Sequence, residues 1–429
     1  MKKGKGIALL PIGVFLVLYL GLGILFEYVM EIPMGFYNVP IVVAFLAAIL
    51  VACLQNRALD FDKKLEIMAQ GVGDKNIITM LLIFLAAGSF VGVVGRSSAE
   101  SVAYCMLSLI PARFSVSVLF IVACFVSVAM GTSVGTITLL TPIAAAVSTA
   151  SGFDLAFCVA SVMGGAMFGD NLSFISDTTI AACNGQGCEM KDKFRENFFI
   201  VLPAAIVTIV LFFFITRNGN FKLAEELTYN IWRVVPYVLV LVGALIGINV
   251  FLVLISGTVI SLIVGVATGS LAVGDMFAAV GEGVTGMYDI TVISIVVACI
   301  VSLVKEFGGI QFILNLIKKS IKGQKGGEIG IAGLSLLVDM CTANNTVAIV
   351  MAGPIAKEIS EEFDISSRRS ASLLDIFTSV GQGMIPYGAQ LLSAASLTGL
   401  TPFAIMPYLF YPILMAVSAV LFILFRKAN

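Results

Sequence analysis

The sequence predicts an all-α polytopic membrane protein made of two inverted structural repeats. Of its 429 residues, 59% are hydrophobic and only 12% are charged, and the mean hydropathy is +1.06. Apolar runs of about 18 residues or more, long enough to cross a bilayer as helices, recur along the whole chain. Polar residues break four of the apolar segments, and these breaks recur in the same order in the second half.

About ten apolar segments are expected to span the membrane fully. The first begins at Ile7 and is too long for the core of a signal peptide, so we interpret it as a span. The segments 153–183 and 368–395 have the length of one span but contain glycines and polar residues, which predicts discontinuous helices. The other predicted spans are 7–30, 38–55, 76–95, 195–217, 230–247, 249–268, 286–305 and 403–425.

Two further segments, 115–150 and 329–360, are longer than a single span needs. Each has a polar interruption near its middle, GTSVGT at 131–136 and TANNT at 342–346. We expect the arms on either side to be too short to cross alone. The sequence therefore predicts two re-entrant hairpins with polar tips.

The landmarks of the first half return in the second, where Met130–Thr136 matches Met340–Thr346 at three positions. The first repeat is predicted at 1–217, with its hairpin at 115–150 and its broken span at 153–183. The second is predicted at 218–429, with its hairpin at 329–360 and its broken span at 368–395. Internal repeats with broken helices are typical of secondary transporters.

Lysine and arginine are distributed as the positive-inside rule requires for two inverted halves. Loop 55–75 is basic, whereas its counterpart 269–285 has no Lys or Arg. The basic loops 184–197 and 357–370 fall on the same side as loop 55–75. These loops predict a multi-pass protein of the cell (inner) membrane whose N- and C-termini are both cytoplasmic.

The composition limits which partners and which chemical groups can take part in the function. A net charge of −1 predicts no nucleic-acid partner, and the expected surroundings are membrane lipid. The chain has no histidine, so proton chemistry near neutral pH falls to carboxylates. The eight cysteines are scattered, and Cys183 and Cys188 form a lone close pair, which does not predict a zinc site. We expect no cofactor.

Two carboxylates, Asp170 and Asp177, interrupt one of the most apolar stretches, GGAMFGDNLSFISDTT at 164–179. A carboxylate at membrane depth survives only where it faces the protein interior or a watery cavity. Their spacing of about two helical turns would place both on one face of a continuous helix. A break near Gly169 and Ser173 is equally compatible with the sequence.

Half-helices that end at membrane depth expose backbone groups, and their oxygens, with those of Ser, Thr, Asn and Asp, are ligands for a small cation. The polar breaks contain acids but no Lys or Arg, which favours a cation or protons over an anion. The first predicted Na⁺ site comprises Thr132, Ser133, Thr136, Asp170, Asn171, Ser173 and Asp177. The second predicted site, for a cation or another substrate, comprises Thr342, Asn344, Asn345, Thr346, Asp375, Ser379 and Gln382.

The motif GTSVGT at 131–136, followed by GGAMFGDNLSFISDTT at 164–179, resembles the signature of the NhaC-type Na⁺/H⁺ antiporters of the ion transporter superfamily. The resemblance implies exchange of Na⁺ for H⁺. It also implies inverted repeats with two re-entrant hairpins, each followed by a discontinuous span, and an elevator-like movement. Relatives in this family exchange organic acids such as malate and lactate.

We therefore expect a secondary active transporter, not an enzyme. Na⁺, or another monovalent cation, and H⁺ would compete for Asp170 or Asp177, because burial favours the protonated carboxyl when no cation is bound. A Na⁺- or H⁺-coupled carrier of a small organic acid or amino acid is the alternative. An intramembrane aspartyl protease is disfavoured, because neither Asp170 nor Asp275 is preceded by the Gly-x-Gly run of its motif. The choice between monomer and homodimer stays open.

Overall fold

The computed structural model describes residues 4–30, 32, 38, 40–174, 176–217, 228–246, 248–318 and 323–425. Within these ranges the chain is helical and forms no strand. Lys2 and Lys3, from the predicted cytoplasmic N-terminus, lie outside the described residues. The helices are α1 Leu10–Leu16, α2 Leu22–Ile24, α3 Ile41–Leu54, α4 Phe61–Val72, α5 Lys75–Leu109, α6 Ser115–Met130, α7 Ser133–Ser151, α8 Leu155–Leu172, α9 Asp177–Gln186, α10 Met190–Thr216, α11 Ile231–Leu245, α12 Val250–Ala267, α13 Met276–Thr285, α14 Tyr288–Glu306, α15 Gly309–Lys318, α16 Gly323–Thr342, α17 Asn345–Glu362, α18 Ser367–Met384, α19 Ala389–Thr398, α20 Pro402–Ile405 and α21 Phe410–Phe425.

Eight of the described helical stretches are long and apolar enough to cross a membrane. The number is nine if the bent pair Ser367–Thr398 and Pro402–Tyr408 counts as one span. Three shorter apolar helices, Ile41–Leu54, Ile231–Gly243 and Phe410–Phe425, lie within other predicted spans. These helices confirm the predicted all-helical, multi-pass class, while the arrangement of ten spans and two hairpins stays a prediction.

The segment 115–150 breaks at its polar centre. Helix α6 ends at Gly131 in the left-handed region, with φ of 68°, where a residue without a Cβ is favoured. The Thr132 hydroxyl then caps α7 by accepting from the Gly135 N–H at 3.4 Å. The apolar stretches on either side, Ala112–Met130 and Ser133–Ser151, have 19 residues each. By length and composition each of these arms could cross a membrane, so arm length does not support a hairpin here, and the hairpin stays a prediction.

The segment 329–360 breaks in the same way without a glycine. Helix α16 ends at Thr342, and Ala343 takes the left-handed conformation with φ of 49°. Asn344 caps α17 by accepting from the Val347 N–H at 3.0 Å. Both breaks thus use a positive-φ residue followed by a polar N-cap.

The two broken spans are also divided into helices of equal length. Helices α8 and α18 each have 18 residues, and α9 and α19 each have 10. Because α8 ends at Leu172 and α9 begins at Asp177, Asp170 and Asp177 do not share one continuous helix. Of the two possibilities that the sequence allowed, the break is the one observed.

Glycines let these helices approach closely. Gly165 and Gly169 of α8 lie against α6, where a Cβ atom would overlap the carbonyl oxygens of Phe120 and Cys124. The shorter arms pack across the chain, α9 against α17 and α19 against α7. Each broken span therefore contacts the interrupted segment of the other half.

Buried ion pairs join α10 to the second half. The Lys193 ammonium pairs with Asp375 of α18, and their side chains are 1% and 2% exposed. Arg369 pairs with Glu328 at 2.9 Å and with Glu196 at 3.4 Å. Lys193 and Arg369 therefore lie on helices with buried side chains rather than in exposed loops. The cytoplasmic side predicted for their segments stays a prediction.

Lys193→Met should lower the free energy of unfolding by about 3–5 kcal/mol, because it leaves the Asp375 carboxylate buried without its countercharge. Lys193→Met/Asp375→Leu should recover most of that loss. Chemical unfolding of the purified protein in detergent measures both variants. Lys191→Met, at an exposed position on the same helix, is the control. A single variant as stable as wild type would contradict the importance of the pair.

Candidate functional site

A cavity of about 500 Å³ lies where the breaks meet. Its wall includes Thr132 and Ser133 from the first interrupted segment, and Asn344, Asn345 and Thr346 from the second. Asp170 and Asp177 line the same cavity. The structure thus brings residues of both predicted sites to one space, which is many times the volume of one water molecule, about 30 Å³.

Asp170 is the buried carboxylate of this cavity, with 5% of the residue exposed. Its Oδ2 accepts from the Ser133 hydroxyl at 2.9 Å, and its Oδ1 accepts from the Ser176 hydroxyl at 2.6 Å. Ser133 begins α7 and Ser176 directly precedes α9, so two helix N-termini converge on the carboxylate. Their dipoles stabilise negative charge there.

A second-half residue completes this network. The Gln390 amide of α19 donates to the Ser133 hydroxyl at 3.1 Å. A carboxylate surrounded by hydroxyl and amide groups offers the oxygen ligands that hard cations prefer. The arrangement around Asp170 is therefore suited to holding either a proton or a small cation.

Asp177 has a different environment. It is exposed, begins α9 and lies on the cavity wall, where its charge is favourable beside the helix N-terminus. Among the described residues, no hydrogen bond joins it to Asp170. Asp177 is placed to act on a solute by charge, through the cavity rather than through direct contact with Asp170.

Asn171 belongs to a neighbouring buried cluster. Its side-chain amide donates to the Ser379 hydroxyl at 2.8 Å, and its backbone carbonyl accepts from the Lys193 ammonium at 2.8 Å. The Asn197 amide donates to the same carbonyl at 3.1 Å and to Asp375 at 3.2 Å. The structure thus groups Asn171, predicted in the first site, with Asp375 and Ser379, predicted in the second.

Four other predicted site residues satisfy backbone groups at the breaks. These hydrogen bonds tie the side chains to the interrupted helix ends, and the role of the four residues as cation ligands stays a prediction. The hydroxyl or amide donors and their carbonyl acceptors are Thr136 to Thr132 at 2.9 Å, Ser173 to Val128 at 2.7 Å, Thr342 to Asn344 at 3.2 Å, and Gln382 to Ala343 at 3.1 Å.

Sequence reasoning missed Lys193, Asn197, Ser176 and Gln390. Lys193 lies in a charged stretch with Lys191 and Arg195, which is typical of a loop. Its spacing of four from Asn197, which puts both on one helix face, was the available signal. The inference that the polar core has acids without bases is wrong, because Lys193 reaches Asp375 from α10.

Comparison with known proteins places this chain in a family. The model of the Na⁺/H⁺ antiporter family matches residues 8–216 and 222–427. The malate-2H⁺/Na⁺-lactate antiporter of Bacillus subtilis is 22% identical over 94% of this chain and 90% of its own length. The Na⁺/H⁺ antiporter NhaC of Alkalihalophilus pseudofirmus is 22% identical over 74% of this chain and 75% of its own. NhaC of B. subtilis is 22% identical over 84% and 87%. Because the family match covers nearly the whole chain, this protein belongs to the Na⁺/H⁺ antiporter family, as its motifs predicted.

Proposed function

We propose that this protein exchanges Na⁺, or another monovalent cation, for H⁺ across the cell (inner) membrane by alternating access, with Asp170 as the carboxylate that both ions share. The observation that carries the proposal is the position of Asp170, buried yet on the wall of a polar cavity, with hydroxyl groups on both carboxylate oxygens. Membership of the Na⁺/H⁺ antiporter family supports cation and proton exchange.

Competition at one carboxylate couples the two ions. Ionised Asp170 attracts Na⁺, and the oxygens of Ser133 and Ser176 are within reach as further ligands. Without a cation, the buried charge is unfavourable, so a proton neutralises it. Asp375 already pairs with Lys193, and Asp177 is exposed, so Asp170 is the buried carboxylate of the cavity that we assign to the transported ion.

Two inverted repeats, 1–217 and 218–429, would supply the alternating access. The proposal includes a re-entrant hairpin in each repeat and cytoplasmic termini. It is supported by the equal lengths of the paired broken helices and by the reciprocal packing of α9 on α17 and α19 on α7. The two matched segments of the family model also divide close to residue 217.

A carrier of a small organic acid or amino acid is the second candidate. The cavity of about 500 Å³ is larger than one cation needs, and the Asn345 amide and Lys75 ammonium line it as donors for a carboxylate. A relative is named a malate-2H⁺/Na⁺-lactate antiporter. Counterflow of labelled malate, lactate and amino acids into proteoliposomes tests this candidate directly.

Asp170→Asn should abolish Na⁺-driven proton movement while the protein still folds, because the amide keeps the shape but cannot ionise. An internal pH-sensitive dye in proteoliposomes measures the exchange. Asp154→Asn is the matched control: it changes a carboxylate to an amide at the N-cap of the same helix, where Asn also caps well. Exchange by Asp170→Asn at near wild-type rates would falsify the assignment.

The apparent Na⁺ affinity should weaken as pH falls, with little change in the maximal rate at saturating Na⁺. The sign follows from competition, since protonation removes the negative ligand and Na⁺ binding must displace the proton. Asp177→Asn should shift this pH dependence, because a nearby negative charge favours protonation of Asp170. A Na⁺ affinity that is constant from about pH 5 to pH 9 excludes the shared carboxylate.

The inverted arrangement is tested by cysteine labelling in a background without native cysteines. Lys63→Cys should react only from the cytoplasm, and Asp275→Cys only from outside. Both positions are exposed, so reagent access decides the result. If both label from the same side, the inverted repeat is wrong.

A further inference from the structure

Asp339 is a buried carboxyl that the proposed exchange does not use. It lies on α16, three residues before the helix ends at Thr342, and is 0% exposed. Neither carboxyl oxygen has a hydrogen-bond partner among the described residues. It differs in this from Asp170, which has two hydroxyl donors, and from Asp375, which has an ammonium.

The structure aligns the two halves break on break, Gly131 with Ala343, which is two residues away from the register of the sequence match; in this structural register Asp339 has a counterpart in the first half. Ser127 lies three residues before the end of α6, where its hydroxyl donates to the Ala166 carbonyl at 2.5 Å. A glycine faces each position, Gly169 opposite Ser127 and Gly381 opposite Asp339. A Cβ at Gly381 would lie 2.6 Å from Asp339 Oδ2, so the glycine makes room for the carboxyl. In the first half this position holds the Ser127 hydroxyl, which makes a hydrogen bond. In the second half it holds the ionisable carboxyl of Asp339.

Among the described residues, no positively charged group pairs with Asp339 in this conformation. Its titratable neighbours include the Cys341 thiol and the Tyr387 hydroxyl, which carry no positive charge, and that hydroxyl donates to the Met340 carbonyl. Glu328 and Arg369, charged groups of α16 and α18, pair with each other about three turns away. An unpaired carboxylate in such a place is far costlier than the neutral acid.

A space lined partly by polar and charged side chains nevertheless lies nearby. A second cavity, of about 290 Å³, is lined by Thr342, one turn from Asp339, and by Tyr387. Charged groups of the loops and helix ends line it too, namely Asp74, Lys305 and Glu306. Asp339 itself does not line this cavity; if α16 moved away from Gly381 of α18, the carboxyl would be free to turn past Thr342 towards it.

We propose that Asp339 is a second proton-carrying carboxyl of the exchange cycle. In the conformation described, it holds a proton. When α16 and α18 separate, its O–H bond breaks, the proton passes to water in the cavity, and the hydrated carboxylate remains until it is protonated from the other side. The inference rests on the proposed cation/proton exchange and adds a second proton to the one at Asp170.

The test is the Na⁺ gradient that exactly balances a pH gradient of one unit in proteoliposomes, with the membrane potential held at zero by K⁺ and an ionophore. Two protons per Na⁺ require about a hundredfold Na⁺ gradient at balance, and one proton requires about tenfold. Wild type should balance near a hundredfold, and Asp339→Asn near tenfold. Ser335→Ala, a buried polar change one turn away on α16, should balance like wild type.

A wild-type balance near tenfold overturns the inference while leaving the exchange itself intact, as does a hundredfold balance in Asp339→Asn. If Asp339→Asn does not fold, Asp339→Ser introduces the residue of the matching first-half position and carries the same expectation. The wild-type measurement decides the proton number without any variant. If wild type shows no Na⁺-driven proton movement at all, the proposed exchange fails and the inference fails with it.

Discussion

The arrangement of the buried polar residues around the break between α8 and α9 depends on the ion pair between Lys193 and Asp375. The ammonium reaches three acceptors at once, on Asp375, Thr179 and the carbonyl of Asn171. That carbonyl lies at the end of α8, where a positive charge also complements the helix dipole. The pair therefore fixes α10 and α18 to the break in α8, and it holds the residue next to Asp170 while Asp170 itself faces the cavity.

Four membrane-depth acids consequently occupy four different environments. Asp375 has a permanent countercharge, Asp170 has hydroxyl donors, Asp177 is open to the cavity, and Asp339 has no polar partner among the described residues. The same functional group is thus assigned to different tasks by its neighbours alone. A carboxylate with a permanent countercharge is suited to stabilising the structure. A carboxylate that contacts only neutral groups can exchange a proton for a cation.

The sequence was sufficient for the features that depend on local chemistry. Glycine and N-capping residues locate the breaks at Gly131 and Asn344, and the uncompensated carboxylate marks Asp170. The sequence did not predict which side chains contact one another, because adjacent residues such as Asp170 and Asn171 point in different directions from a helix. Lys193 was misassigned for a related reason: its charge suggests a loop, and only the packing of α10 against α18 shows that its ammonium is buried.

The contact of Gly165 and Gly169 with the main chain of α6 has a mechanical consequence. At this contact the main chains of the two helices touch directly, so no side chain can change rotamer to relieve a clash. Sliding by a fraction of a helical turn would bring main-chain atoms into overlap. Helices α6 and α8 must therefore travel as one rigid body. In the exchange proposed above, the boundary of the movement would lie outside this pair, and Asp170 near the end of α8 would move together with α6.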